Sequence, residues 1–363
     1  MKKVVVLIGL FSLFLSACTP AGGTTPISAT TLAPTTAPAA PAALSVMVHD
    51  SFAVSEAVVK NFEQQNNLKI NFIKSGDVGA MVNRAILTKD SPQADVMYGT
   101  DNTFLSRVLD AGLLEPYNSG LLADVSAAFK LDPQNRALPV DYGDVCINYD
   151  KAYFAEKKLA LPQTLEDLAK PDYKGLLVVE NPATSSPGLA FVMATIAHFG
   201  PDKYLDYWKS LRDNGVNVVD GWETAYYTNF SGSSGKGAQP LVVSYNTSPA
   251  AEVVFAKTPP TDAPTGSLTG PDMCFRQVEF VGIMKGTKNR ILAEKFVDFM
   301  LSPTFQEDMP LQMFVYPVNP KAKLPDEFVK YAQLPAKAAA LDPVEIAKNR
   351  ANWVADWTKT VLN

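Results

Sequence analysis

Short apolar segments alternate with amphipathic ones in two successive series along the chain. In the first series, runs at 44–49, 68–73 and 94–98 predict strands, and helical apolar spacing predicts helices from Val54 and at 77–88 and 102–111. A second series begins near Asp141, with predicted strands at 144–149, 176–180, 216–219, 241–245 and 278–284. Its predicted helices lie at 187–199, 202–213, 288–301 and 343–361. This rhythm predicts an α/β fold on a mostly parallel sheet.

The first 17 residues have the pattern of an export signal. Lys2 and Lys3 precede an apolar stretch, 4–15, that is too short to span a bilayer. The stretch ends in Leu-Ser-Ala-Cys at 15–18, which resembles the lipobox of bacterial lipoproteins. We therefore predict a signal peptide at 1–17, lipidation of Cys18, and a mature protein held by its lipid on the outer face of the cell membrane.

The segment that follows Cys18 has the composition of a tether. Residues 19–43 are almost entirely Thr, Ala, Pro and Gly, and no charge occurs between Cys18 and Asp50. Such a segment cannot bury enough apolar surface to offset the entropy lost on ordering. Residues 18–43 are therefore predicted to be a flexible tether, and the globular part is predicted to start at Leu44.

The net charge of the chain indicates which kinds of molecule it is suited to bind. The full chain has a formal net charge of −5, and removal of Lys2 and Lys3 reduces the 32 basic residues to 30, against 37 acidic ones. This balance argues against nucleic acid and anionic membrane surfaces and favours a cationic ligand. We expect contact with the membrane through the lipid anchor only, and a monomer.

Two cysteines remain after Cys18. They are Cys146 and Cys274, and in an oxidising compartment such a pair is predicted to form a disulfide. The alternative is that one of them is a free, reactive thiol.

The loops after the predicted strands contain the candidate ligand-binding groups, because ligands of open α/β sheets bind beyond the carboxyl ends of strands. These groups are carboxylates, aromatic rings and hydroxyl-bearing helix starts: Asp50, Asp77, Asp101; Phe52, Trp222, Tyr226, Tyr227, Tyr245; Ser185-Ser186-Pro187 and Thr247-Ser248-Pro249. Together they suit a flat organic cation, with or without a phosphate group. The structural alternative is that Asp50, Asp101 and the Ser-Pro starts only cap helices and that Trp222 is a core residue.

Longer motifs around these loops resemble those of a known family. They are Asp50-Ser51-Phe52, Gly99-Thr100-Asp101-Asn102, Asn181 to Leu189, Gly221-Trp222-Glu223-Thr224-Ala225-Tyr226, Ser244 to Ala250, and Tyr316-Pro317-Val318. They are similar to motifs of bacterial thiamine-binding proteins, the soluble components of thiamine ABC importers. The Ser-Tyr-x-Thr-Ser-Pro-Ala and Gly-Trp-x-x-Ala-Tyr segments are the most specific.

The resemblance implies the type II periplasmic-binding fold, in which a hinged ligand cleft lies between two lobes. Lobe 1 would contain 44–140 and about 275–310, and lobe 2 would contain 141–274 and about 311–363. Segments near 139–146 and 273–280 would act as hinges. The ligand-bound, closed form would dock on an ABC permease, with no cofactor and no chemistry performed on the ligand.

The resemblance also implies roles for individual residues, with thiamine or a thiamine phosphate as ligand. Asp77 would accept hydrogen bonds from the aminopyrimidine, and Trp222 and Tyr245 would line the aromatic slot. Ser185 and Ser186 would hold the hydroxyethyl or phosphate end. The other predicted ligand-binding residues are His49, Asp50, Ser51, Asp101, Tyr226, Thr247, Ser248, Phe314 and Tyr316.

The chain departs from the family pattern at several aromatic positions. His49 and Ala251 stand where the family has Tyr, Phe314 stands where it has Trp, and a Trp expected shortly after Asp50-Ser51-Phe52 is missing. A related flat amine is therefore an open alternative as ligand.

Ferric-iron binding and an enzymatic activity are two alternative functions. Ferric-iron binding would use the tandem Tyr226 and Tyr227, with His49 or Asp50 as additional ligands. An enzyme similar to thiaminase I would use Cys146 as its nucleophile, which a disulfide would prevent. A serine hydrolase and a structural zinc site lack the motifs and spacings they require.

Overall fold

The computed structural model describes residues 41–234, 237–258 and 260–363. The predicted signal peptide, the predicted lipidation site Cys18 and nearly all of the predicted tether lie outside the described residues. The first strand begins at Ala42, two residues before the expected start at Leu44. No helix in the described part of the chain is long and apolar enough to cross a bilayer.

Eleven strands and twelve helices make up the described chain. The strands are β1 Ala42–Val48, β2 Leu68–Lys74, β3 Val96–Asp101, β4 Leu114–Glu115, β5 Leu138–Asp150, β6 Leu177–Glu180, β7 Asn217–Val219, β8 Leu241–Tyr245, β9 Thr265–Leu268, β10 Phe275–Met284 and β11 Tyr316–Pro317. The helices are α1 Glu56–Asn66, α2 Val78–Leu87, α3 Leu105–Asp110, α4 Lys151–Lys157, α5 Ser186–Phe199, α6 Tyr204–Asp213, α7 Ser231–Ser234, α8 Ser248–Val254, α9 Arg290–Leu301, α10 Pro303–Gln312, α11 Asp326–Tyr331 and α12 Pro343–Val361. A π-helical turn spans Thr224–Asn229, and 3-10 turns include Glu166–Ala169.

The strands form one sheet in the order β2-β1-β3-β10-β5-β8-β6-β7. At one end β1 pairs in parallel with β2 and β3, and at the other β6 pairs in parallel with β7 and β8. In the middle, β10 is antiparallel to β3 and β5, and β5 is antiparallel to β8. The expected mostly parallel sheet is therefore wrong for the centre, although the alternation of strand and helix is right in each end region.

The centre differs because β5 and β10 are longer than their apolar patterns indicated. β5 runs from Leu138 to Asp150 rather than 144–149, and β10 starts at Phe275 rather than 278. The first residues of β5 pair with the last of β10, next to β3, whereas the final residues of β5 pair with β8. Both strands thus belong to both ends of the sheet.

Helices cover the two ends of the sheet with aromatic cores. Beside β1 and β2, Phe62 of α1 stacks on Phe299 of α9 with ring centroids 4.4 Å apart. At the other end, the first eleven residues of α5 are buried. Trp208 of α6 packs edge-on between Phe191 and Trp357 of α12, with centroid distances of 5.5 and 5.2 Å. The predicted C-terminal helix therefore closes this core.

A disulfide joins Cys146 to Cys274, which are 128 residues apart in sequence. This confirms the predicted pairing. Cys146 lies in β5, and Cys274 immediately precedes β10, next to the paired residues Val145 and Phe275. The bond therefore fastens the two central strands together, and in this form Cys146 has no thiol to act as a nucleophile.

Removal of this disulfide by Cys146→Ala with Cys274→Ala is expected to lower the free energy of unfolding by about 3–5 kcal/mol, because the bond closes a long loop in the unfolded chain. Urea unfolding followed by tryptophan fluorescence measures this. Reduced wild type is the control and should match the double variant. Equal stability of oxidised wild type and double variant would show that the bond does not stabilise the fold.

His198 forms a surface ion-pair cluster at the end of α5. Its Nε2 lies 2.9 Å from Glu166 Oε1, and its Nδ1 lies 3.3 Å from Asp272 Oδ2. Partial burial lowers the pKa of His198, but the hydrogen bonds and charges of Glu166 and Asp272 outweigh burial, so the pKa is raised above 6.5. The cluster therefore contributes stability fully below the unfolded-state pKa, and this contribution is lost as pH rises through the folded-state pKa.

His198→Gln should accordingly destabilise the protein at pH 5.5 and have a much smaller effect at pH 9. Thermal melts of both proteins between pH 5 and 9 measure this difference. A gap in melting temperature that is constant across this range would contradict the ion-pair role of His198.

Candidate functional site

A cavity of about 780 Å³ opens between the loop after β1, the π-helical turn with α7 and α8, and residues 312–315. Nine of the predicted ligand-binding residues line it: His49, Asp50, Ser51, Trp222, Tyr226, Tyr245, Thr247, Ser248 and Phe314. They come from strand ends and helix starts far apart in sequence. The fold therefore brings most of the predicted site together.

The loop after β1 is fixed by its own contacts. Asp50 Oδ1 accepts a hydrogen bond from the Gly76 amide at 2.8 Å. Phe52 is buried and packs on Phe72 and Tyr98, with ring centroids 5.0 and 5.3 Å away. His49 and Asp50 are thus presented to the cavity from a rigid base.

His49 lies over a row of buried carboxylates. Glu279 of β10 pairs with Asp101 on one neighbouring strand and with Asp141 on the other. Burial raises the pKa of Asp101 to about 7 and, with the charge of Glu279, raises the pKa of Asp141 well above 3.8. The Tyr98 hydroxyl donates to Asp141 and lies 3.0 Å from Glu279 Oε2, so protons and hydrogen bonds limit the charge in this row.

The His49 ring forms an ion pair with this row. Its Nε2 lies 3.4 Å from Glu279 Oε1, which is too long for a good hydrogen bond. Burial lowers the pKa of His49, but the charge and proximity of Glu279 outweigh it and raise the pKa. His49 thus lines the cavity and lies between it and the buried carboxylates beneath.

An aromatic wall is formed by the π-helical turn and Trp222, two residues before it. The Trp222 ring stacks on Tyr226 with centroids 5.1 Å apart and planes 18° from parallel. Trp222 Nε1 donates to Ser244 Oγ at 2.9 Å, and the Tyr226 hydroxyl donates to Glu252 Oε1 at 2.8 Å. Tyr227, perpendicular to Tyr226, is 52% exposed. Hydrogen bonds thus fix the polar atoms of this wall, and its ring surfaces remain available for contact with a ligand.

A second wall, in contact with the first, is one face of α8 with the residue after it. Ser248, Ala251, Glu252 and Phe255 all line the cavity. Phe255 is 67% exposed, and its ring lies 5.2 Å from that of Phe314. Thr247 Oγ1 is buried and has no hydrogen-bond partner among the described residues. This wall therefore offers rings, a carboxylate and a free hydroxyl.

Five predicted ligand-binding residues lie outside this lining. They are Asp77, Asp101, Ser185, Ser186 and Tyr316.

Asp77 and Asp101 bind backbone amides. Asp77 Oδ1 caps α2 by accepting from the Val78 amide at 2.6 Å, and Asp101 accepts from the Thr103 amide at 2.6 Å. The Tyr316 ring stacks on Tyr142 with centroids 5.2 Å apart. Asp77, for which only a ligand-binding role was predicted, therefore caps α2, whereas Asp101 binds the turn before α3, whose N-cap residue is Phe104.

Ser186 and Asp101 nevertheless connect to the cavity through Gln277. Gln277 Nε2 donates to Asp101 Oδ2 at 2.6 Å and to Ser186, while its Oε1 accepts from the Tyr245 hydroxyl at 2.8 Å. Ser185 Oγ is buried and lacks a hydrogen-bond partner within the described chain. Gln277, held by Asp101 and Ser186, thus fixes the position of the Tyr245 hydroxyl.

The ligand-binding predictions omitted several residues that line the cavity. Glu252 and Phe255 could have been found, because they follow Ser248 at helical spacing and so share its face. Glu223 and Lys74 come from loop and strand-end positions that carry no such signal. The lining contains three carboxylates, Asp50, Glu223 and Glu252, against one lysine, a balance that favours a cationic ligand.

Comparison with known proteins identifies the class. Residues 91–341 match the family of bacterial extracellular solute-binding proteins, and the chain belongs to this family. It is thus a solute-binding protein that acts outside the cytoplasm, of the kind that serves ABC importers, and the predicted type II periplasmic-binding fold is confirmed.

Individual relatives are similar over most of their length. The thiamine-binding periplasmic protein of Brucella suis is 33% identical over 336 residues, which cover 88% of this chain and 93% of the relative. A solved periplasmic thiamin-binding protein superposes with a TM-score of 0.77 at 28% identity, over 88% of this chain and 96% of that one. A ferric-binding protein from Campylobacter jejuni, at 20% identity and a TM-score of 0.71 over 87% and 99%, shares the fold.

Gly99 limits the space for His49 and provides a test of this geometry. Gly99 has φ +98°, and a Cβ added there would lie 2.3 Å from His49 Cδ2. Gly99→Ala should lower the free energy of unfolding by about 2–4 kcal/mol, from backbone strain plus the displaced ring. Gly112→Ala is the matched control, because Gly112 has φ +64° and open space around its Cβ position; it should cost only about 1 kcal/mol. Equal losses in the two variants, measured by urea unfolding, would contradict the tight packing of His49.

Proposed function

We propose that this protein is the substrate-binding component of an ABC importer and that it binds thiamine in the cavity between the Trp222 wall and α8. The observation that carries the proposal is the combination of aromatic ring faces with an excess of carboxylates in one cavity. Thiamine is a flat, permanently cationic molecule, and both features favour such a ligand. The names of the similar Brucella and solved proteins agree with it.

The cavity suits this ligand in size and polarity. Its volume of about 780 Å³ is ample for a two-ring ligand. We propose that Trp222 and Tyr245 contact the rings, and that Tyr227 and Phe255, exposed at the mouth, supply stacking surface in place of the aromatic residues missing from the family pattern.

Unesterified thiamine fits this lining better than a phosphate ester. Ser185 and Ser186, proposed for the phosphate end, do not line the cavity, and an ester would bring negative charge among Asp50, Glu223 and Glu252. Lys74 and His49 would oppose that repulsion, but Lys74 Nζ already donates to the Asp50 carbonyl at 2.6 Å and His49 is paired with Glu279.

Capture by closure is the mechanism we propose. Segments 139–146 and 273–280, in and next to β5 and β10, would be the hinges between two lobes, and the ligand would stabilise the closed form by its higher affinity for it. The closed protein would then dock on the permease. Lipidation at Cys18, which would retain the monomeric protein near that permease, belongs to the same proposal.

Titration calorimetry of the mature protein with thiamine tests the ligand. We expect saturable 1:1 binding that Trp222→Ala weakens about 10- to 100-fold, because a desolvated ring contact with a cation contributes about 1.5–3 kcal/mol. Tyr153→Ala, which removes a ring outside the cavity, is the control and should bind normally. Saturable binding of ferric citrate without binding of thiamine would instead establish the iron alternative.

A further inference from the structure

Asp77, the carboxylate that the family resemblance assigns to the ligand, binds two backbone amides in this protein. Asp77 Oδ1 accepts from the Val78 amide at 2.6 Å, and Asp77 Oδ2 accepts from the Trp222 amide at 3.1 Å. Gly221 packs beside it, since a Cβ there would lie 3.6 Å from Asp77 Oδ2. Asp77 therefore holds the start of the aromatic wall, and its side chain does not line the cavity.

Glu252 is in a better position to meet a ligand. It lines the cavity on α8, and its Oε1 accepts from the Tyr226 hydroxyl at 2.8 Å. A carboxylate has about four acceptor positions, so the bonds from Tyr226 and Ser233 leave capacity for a ligand donor. Burial, which outweighs the hydrogen bonds from Tyr226 and Ser233, raises the pKa of Glu252. The group is poorly solvated, and an added donor would therefore interact strongly with it.

The other two carboxylates that line the cavity are less suited to recognising a ligand donor. Asp50 Oδ1 is bound by the Gly76 amide at 2.8 Å and fixes the loop after β1. Glu223 is exposed, so water screens its interactions. Beside Glu252, the small Ala251 stands where the family pattern has Tyr, which leaves room in the cavity next to this carboxylate.

We propose that Glu252 is the specificity-determining acceptor for the exocyclic amino group of the ligand, and that Asp77 is a positioning residue that acts through Trp222. This assignment rests on the proposed thiamine-binding function and deepens it. Tyr226 orients the Glu252 carboxylate from one side, and the Trp222 ring stacked on Tyr226 places a flat ligand against the same wall.

The test compares thiamine with oxythiamine, in which a carbonyl oxygen replaces the pyrimidine amino group. Titration calorimetry of mature wild type should show thiamine bound about 10- to 100-fold more tightly than oxythiamine, since a charged acceptor facing a carbonyl is left without a donor. Glu252→Gln should weaken thiamine about 10- to 100-fold and oxythiamine less than about 3-fold, because the new amide can donate to the carbonyl.

Three further variants separate this role of Glu252 from a general effect on the cavity. Asp77→Asn should weaken both compounds by a similar factor, because it disturbs the Trp222 loop rather than the amino-group contact. Glu156→Gln removes the same charge from the exposed surface of α4 and should leave both affinities unchanged. Tyr226→Phe, which removes the donor to Glu252, should reduce the preference for thiamine in part.

The possible failures can be distinguished. Discrimination that persists in Glu252→Gln but disappears in Asp77→Asn overturns the assignment while the thiamine-binding function stands. A folded wild type that binds neither compound overturns the proposed function, and the assignment falls with it.

Discussion

The antiparallel pairing of β5 with β10 is the constraint on which the rest of the structure depends. Each strand is shared between the two ends of the sheet, and the Cys146–Cys274 bond fastens them where both ends meet. The three carboxylates Asp101, Glu279 and Asp141 lie in a row across this pairing, and the Gln277 that supports Tyr245 is in β10. The two central strands therefore connect the ends of the sheet, contribute carboxylates beneath the cavity and support Tyr245.

Burial divides the acidic groups of the protein into two kinds. Beneath the cavity, Asp101 and Asp141 have raised pKa values because they are desolvated, and the Tyr98 hydroxyl donates to their neighbour Glu279. Such groups contribute less negative charge than their number suggests. On the walls, Asp50 and Glu223 are within reach of water. The field that a cation meets is thus set mainly by the walls of the cavity, where the Glu252 carboxylate is partly buried and oriented by the Tyr226 hydroxyl.

Local patterns predicted much of this fold and site, and their limits have physical causes. The helices ending in Phe199 and Val361 follow from apolar spacing, and the loops at His49, Trp222 and Tyr245 follow from strand ends. The direction of the central strands did not follow, because polar residues that tertiary contacts bury, such as Asp141 in β5 and Gln277 in β10, interrupt the apolar pattern and hide the full length of these strands. Residue type showed that Asp77 and Ser185 were candidates, but whether a carboxylate caps a helix or meets a ligand depends on contacts across 145 residues, as between Asp77 and Trp222.

The most direct test of the central claim is a crystal structure of the mature protein with thiamine bound. The account predicts the ligand in the cavity between Trp222 and α8, with its amino group within hydrogen-bond distance of Glu252 and the Asp77–Trp222 contact intact. A ligand whose amino group is bound by Asp77, with Glu252 turned to solvent, would contradict the assignment of the acceptor. A ligand outside this cavity would contradict the account of the site as a whole.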